Sequence, residues 1–141
     1  MVITMEETTA KLFRLRNESQ IVGYMRFVDK GKPFFSKDRF WWGSTKIDYS
    51  SKDSFAELKD MNQQAIFEGD IIEMKLKTSV DFIKQAVIIY DEDRLDFVAV
   101  RCDSYQPIKR KDWKDYKIKH ISYLFINKEL EEDLRERKWL Q

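Results

Sequence analysis

Apolar and polar residues alternate along most of this chain, the pattern of strands that bury one face. In Lys11-Leu12-Phe13-Arg14-Leu15-Arg16 the alternation puts Phe13 and Leu15 on one side, and residues 21–28 form a second such run. The polar Asn17-Glu18-Ser19-Gln20 between them predicts a hairpin, and Asp29-Lys30-Gly31-Lys32-Pro33 predicts the next turn. Residues 34–60 are the least patterned. They predict a short strand near residues 40–42, another near 46–49, and irregular connections. From Asp70 to Lys77 the alternation resumes after a doubled isoleucine, Ile71-Ile72. Ala86-Val87-Ile88-Ile89-Tyr90 is almost continuously apolar. It turns at Asp91-Glu92-Asp93 and returns through Leu95-Asp96-Phe97-Val98-Ala99-Val100, the clearest hairpin in the chain. Residues 116–125 predict the last strand. The period then changes. Asn127 is a good N-cap, acids crowd the next turns, and Arg135, Arg137 and Lys138 come late, which complements a helix dipole. Residues 1–10 carry no pattern and are expected to fray.

These elements predict a mainly β fold: a small, barrel-like antiparallel domain of SH3-like character with a short C-terminal α-helix at residues 127–140. The 141 residues contain four glycines and two prolines, too few for a flexible linker, so a single domain over 1–141 is expected. Hydrophobic residues make up 43% of the chain, enough for a core. The net charge of +1 gives no global field, so any attraction to an anionic partner must come from a local patch. Cys102 is the lone cysteine, which rules out an intramolecular disulfide and suits a reducing cytoplasm. The first residues do not have the form of a signal peptide, and no apolar run reaches the ~18–20 residues that span a bilayer. The expected compartment is therefore cytoplasmic, with no membrane partner.

Three constellations invite a functional reading. Glu68-Gly69-Asp70 could present two catalytic carboxylates, but a structural turn is the better reading, with Gly69 allowing a positive φ and Asp70 accepting backbone N–H groups. Residues 109–119 hold six cations (Lys109, Arg110, Lys111, Lys114, Lys117 and Lys119) against Asp112 and Asp115, a local net of +4. With Trp113 and Tyr116 interleaved, that is the composition of a nonspecific nucleic-acid surface, although a solvated loop and strand whose aromatics pack inward is the more ordinary reading. Phe34, Phe35, Phe40, Trp41 and Trp42 put five aromatics in nine residues. An extended strand buries every second residue, so these aromatics form either a covered core or an interface for self-association. His120 reads as structural. It could pair with Cys102 as base and nucleophile, but no motif supports that pairing. No zinc-ligand spacing, phosphate-binding glycine loop, dinucleotide fingerprint or nucleophile elbow occurs. The residues thus point to no catalytic site, cofactor, metal or small-molecule ligand.

The run Phe55-Ala56-Glu57-Leu58-Lys59-Asp60-Met61-Asn62-Gln63-Gln64-Ala65-Ile66-Phe67-Glu68-Gly69-Asp70-Ile71-Ile72 resembles the signature of the YopX family of phage and prophage proteins. Ile121-Ser122-Tyr123-Leu124-Phe125-Ile126-Asn127-Lys128-Glu129-Leu130 is similar to that family's closing strand and helix start, and Lys11-Leu12-Phe13-Arg14 to its opening segment. Glu57 and Gln63 stand where the family usually has glycine, which suggests a reshaped loop, and Lys128 stands where proline is common. The resemblance implies a barrel-like β domain encoded by mobile DNA. It further implies an accessory protein of a bacterial host cell with no established enzymatic activity and no catalytic residue to transfer. Two functions follow as expectations: a non-catalytic protein acting by self-association or by binding a phage or host protein, or a nucleic-acid-binding module using residues 109–120.

Overall fold

A computed structural model describes residues 10–28 and 31–140; the expected fraying of the N-terminus concerns residues that lie almost wholly outside these, as do Asp29 and Lys30 of the predicted turn. The chain is mainly β, with antiparallel sheets and a short C-terminal helix, as the pattern predicts. Among the described residues the strands form two five-stranded sheets, each with a strand at either edge, and no closed barrel is formed. The chain divides into two compact units, Met1–Phe55 and Ala56–Gln141.

In the first unit, strands β1 (Ala10–Asn17) and β2 (Gln20–Val28) form the expected hairpin, closed by a turn in which Glu18 takes a φ of 56°. A short edge strand, β3 (Phe34–Ser36), pairs with β2. On the other side of β1 lies the first half of β4 (Ser51–Lys59). Leu15, Met25 and Phe35 make the core of this unit, with Phe13, Val22, Ile47 and Tyr49 against it. Gly23 is required by close approach: a Cβ there would stand 2.8 Å from the Ser36 carbonyl oxygen. Arg14 and Asp53 are both buried, and the Asp53 carboxylate receives Arg14 Nε at 2.9 Å and Arg16 Nε at 2.8 Å.

The strands expected near residues 40–42 and 46–49 are not formed. The Ser36 hydroxyl accepts the N–H groups of Asp38 and Arg39, and the Asp38 carboxylate accepts those of Phe40 and Trp41. Donors spent in a local turn cannot join a ladder. β4, by contrast, forms from a polar run whose alternation gives little apolar signal.

In the second unit β5 (Ala65–Phe67) lies beside β4, and a five-stranded sheet contains β6 (Asp70–Leu76), β7 (Phe82–Asp91), β8 (Asp96–Arg101), β9 (Pro107–Lys109) and β10 (Tyr116–Tyr123). Its order is β10-β6-β7-β8-β9. A one-turn helix, α1 (Arg110–Trp113), joins β9 to β10 where sequence predicts only a basic loop. After a 3₁₀ turn at Leu124–Ile126, helix α2 (Lys128–Glu136) begins on Asn127, whose side chain accepts the Leu130 N–H. Both faces of the sheet are covered. Ile72, Met74, Ala86, Ile88 and Ala99 pack with Ile66, Trp113 and Ile118. Ile71, Val87, Ile89, Val98 and Val100 pack under Leu130 and Leu134 of α2. A strand buried on both sides has no polar face, which is why the isoleucine is doubled at 71–72 and the 86–90 run does not alternate.

Gly69 has a φ of +88°, and open space surrounds the position a Cβ would take. The Gly69 N–H donates to Ile88 O, and its carbonyl accepts from Leu124 N–H, so the turn ties β6 to β7 and to the 3₁₀ turn. Gly69→Ala is expected to cost about 1 kcal/mol, from backbone strain without a clash. A thermal melt unchanged by the substitution would remove this account of the turn.

Candidate functional site

The Glu68-Gly69-Asp70 turn builds structure. Asp70 is fully buried, and its Oδ2 accepts the Phe67 N–H at 2.8 Å. His120 faces inward from β10, its ring against Tyr123 and its Nε2 3.5 Å from Asp70 Oδ1. That distance is too long for a good hydrogen bond. Cys102 is half-buried. Burial, with the charge of Asp103 beside it, pushes its thiol up to about 11, so it stays protonated near neutral pH and supplies no thiolate. Among the described residues no three His, Cys, Asp or Glu side chains gather to hold a metal ion, and no helix is long and apolar enough to cross a membrane.

The basic stretch divides into three parts. Trp113, expected as a stacking residue, is 4% exposed and donates its indole N–H to Ile108 O, so it cannot accept a base. Arg110 is equally committed. Its Nε contacts Asp96 at 2.9 Å, its Nη2 donates to Ala56 O, and its guanidinium lies 4.8 Å over the Trp113 ring. Lys109, Lys111 and Lys119 are exposed, with Lys119 across from Glu73 in the β10–β6 pairing. Lys114 and Lys117 line a groove of about 430 Å³ together with Lys59, Lys77 and the fold-bound Arg110. Leu58, Met61, Tyr116, Trp113 and Ile118 give the groove its apolar surface.

Asp60 organises this groove. Its Oδ1 accepts the N–H groups of Asn62 and Gln64, and its Oδ2 accepts that of His120, each at 2.9 Å. Burial raises its pKa, but these three donors together outweigh burial and hold the carboxyl below the usual aspartate value. The neighbouring Met61 N–H donates to Ile118 O at 2.8 Å. The loop thereby covers this part of the β10 edge. Sequence reasoning missed Lys59, Asp60, Met61 and Lys77. The first three lie within the family-like motif, and Lys77 reaches the groove because its N–H donates to Asp115 O, a pairing no local pattern announces. Glu57 and Gln63, where the resembled pattern has glycine, have φ of 56° and 65° and so take the left-handed backbone that glycine adopts most easily.

A larger hollow of about 560 Å³ mixes Asp91 and Glu92 with Arg94 and Arg137, so it has no field of one sign.

The aromatic cluster separates as well. Phe35 is core, which corrects its place among the interface candidates. Trp42 is half-buried under the Arg26 guanidinium, 4.4 Å from its ring centroid, and Phe34 is 44% exposed. Phe40 and Trp41 are each 84% exposed. The turn that holds them is well tied: the N–H groups of Phe40 and then Trp41 keep the Asp38 carboxyl below its ordinary range, and the Trp42 indole donates to Arg39 O. No family model, no curated protein and no solved structure matches this chain.

Proposed function

We propose that this chain is a non-catalytic accessory protein of phage or prophage origin, working in the bacterial cytoplasm by binding protein, in the simplest case a second copy of itself. The observation that carries this reading is the Phe40-Trp41 pair, two adjacent large aromatics left 84% exposed on a turn held by Ser36 and Asp38. Adjacent exposed aromatics of this kind are typical anchors of interfaces, and a pre-ordered turn loses little entropy on binding. The YopX-like motifs support the phage origin. Sedimentation velocity over a range of concentrations tests the self-association. Phe40→Ser with Trp41→Ser is expected to weaken the assembly more than about 30-fold, since truncating one hot-spot aromatic costs about 2 kcal/mol or more. A strict monomer at the highest concentration would sink the self-association form.

A second reading, nucleic-acid binding, draws support from the groove more than from residues 109–120 as a unit. Trp113 and Arg110 also line this cationic concavity but are held by the fold, whereas Lys114 and Lys117 line it from an exposed surface.

A further inference from the structure

We propose that the groove lined by Lys59, Lys77, Lys114 and Lys117 is a binding site for single-stranded nucleic acid, an inference that rests on the second reading above and places it at particular atoms. Four lysines surround the groove. Asp60, the acid that lines it, is buried with its carboxylate engaged by three backbone N–H groups. Asp112 and Asp115, the acids of the same segment, are exposed and do not line the groove. The site therefore presents positive charge to whatever enters.

Its apolar surface narrows the choice of anion. Tyr116 is half-buried and Met61 is 57% exposed, and both line the groove. A duplex turns its phosphates outward and keeps its bases stacked inside, so it would use the lysines and leave these surfaces idle. A single strand offers phosphates and free base faces together, and so uses both. An acidic peptide would gain most by adding to the edge of β10. That edge is taken here, because Ile118 O already accepts the Met61 N–H and Asp60 the His120 N–H. Recognition is left to side chains: charge from four lysines, stacking from Tyr116 and packing from Met61.

Fluorescence anisotropy of the full chain with labelled oligothymidylate tests the proposal. Binding is expected at low salt, with a log–log salt slope of about −3, about 0.7 for each of four phosphate-contacting lysines. Lys114→Gln with Lys117→Gln should reduce that slope to about −1.4. Tyr116→Leu should weaken binding about tenfold and leave the slope alone. Lys109→Gln with Lys111→Gln and Lys119→Gln should change neither quantity, and circular dichroism checks that each variant folds. If those three outer lysines carry the binding and the groove variants do not, nucleic-acid binding survives and the groove assignment falls. Absence of binding at low salt overturns both. Duplex DNA binding as tightly as the single strand, or polyglutamate displacing it equally well, overturns the choice of ligand. The Phe40→Ser, Trp41→Ser variant should bind oligothymidylate like the parent chain.

Discussion

Asp53→Ala is expected to destabilise the first unit by about 3–5 kcal/mol. The carboxylate lies among four guanidinium contacts: Arg14 Nε and Nη2 at 2.9 Å, Arg16 Nε at 2.8 Å and Arg16 Nη2 at 2.9 Å. Arg14 and Asp53 are buried, so water screens their attraction little. Removing the acid leaves two arginines facing each other's charge without this counter-ion, and Arg14 remains buried. An exposed ion pair would cost at most about 1 kcal/mol to lose, which is the margin that makes the experiment decisive. Asp53→Asn keeps the shape and one acceptor oxygen but loses the charge, and should fall between. Because the chain has two compact units, hydrogen exchange monitored by residue is the suitable measurement. Protection should drop in β1, β2 and the first half of β4. Unchanged protection would show that the cluster contributes nothing net.

Asp60→Ala should cost about 2–4 kcal/mol in the second unit, since three backbone donors that share one carboxylate lose their acceptor. The same carboxyl gives a pH signature. Its folded pKa lies below the ordinary 3.8, so the unfolded chain takes up the proton first as pH falls. The stabilisation it contributes is complete well above 3.8 and is lost as pH falls through the folded value. Urea midpoints of the parent chain should therefore decline below about pH 4. In Asp60→Asn, which cannot ionise, that part of the decline should be absent. An identical acid profile for the two proteins would refute the assignment. The loop held by Asp60 also contains Met61 and adjoins Lys59, so Asp60→Ala should loosen the groove as well.

The elements that were legible each have a local signature. The 86–100 hairpin announces itself by β-branched runs around three acids, and α2 by an N-cap followed by ordered charges. The strand expected at residues 40–42 failed for an equally local reason, as the Ser36 and Asp38 side chains captured the donors that a strand needs. β4 escaped notice because what it buries is partly polar. Asp53 is among its buried residues, and only a partner arginine 39 positions away makes that burial tolerable.

The basic stretch shows the same division. Its composition was plain in the sequence, but composition does not say which cations are free. Arg110 is drawn into the fold by Asp96 and the Ala56 carbonyl, and Trp113 by the core beneath it. Lys114 and Lys117 stay at the surface and line a groove with Lys59 and Lys77 from elsewhere in the chain.

By itself the sequence determined the mainly β class, the two clearest hairpins and the terminal helix. All of these rest on period, turn chemistry and capping, which act between residues a few positions apart. Tertiary structure alone decided which aromatics are core and which exposed, which cations are spent, and where the groove lies. Those outcomes depend on burial and on pairings such as Asp53 with Arg14 or Asp60 with His120, between residues far apart in the chain whose proximity exists only after folding.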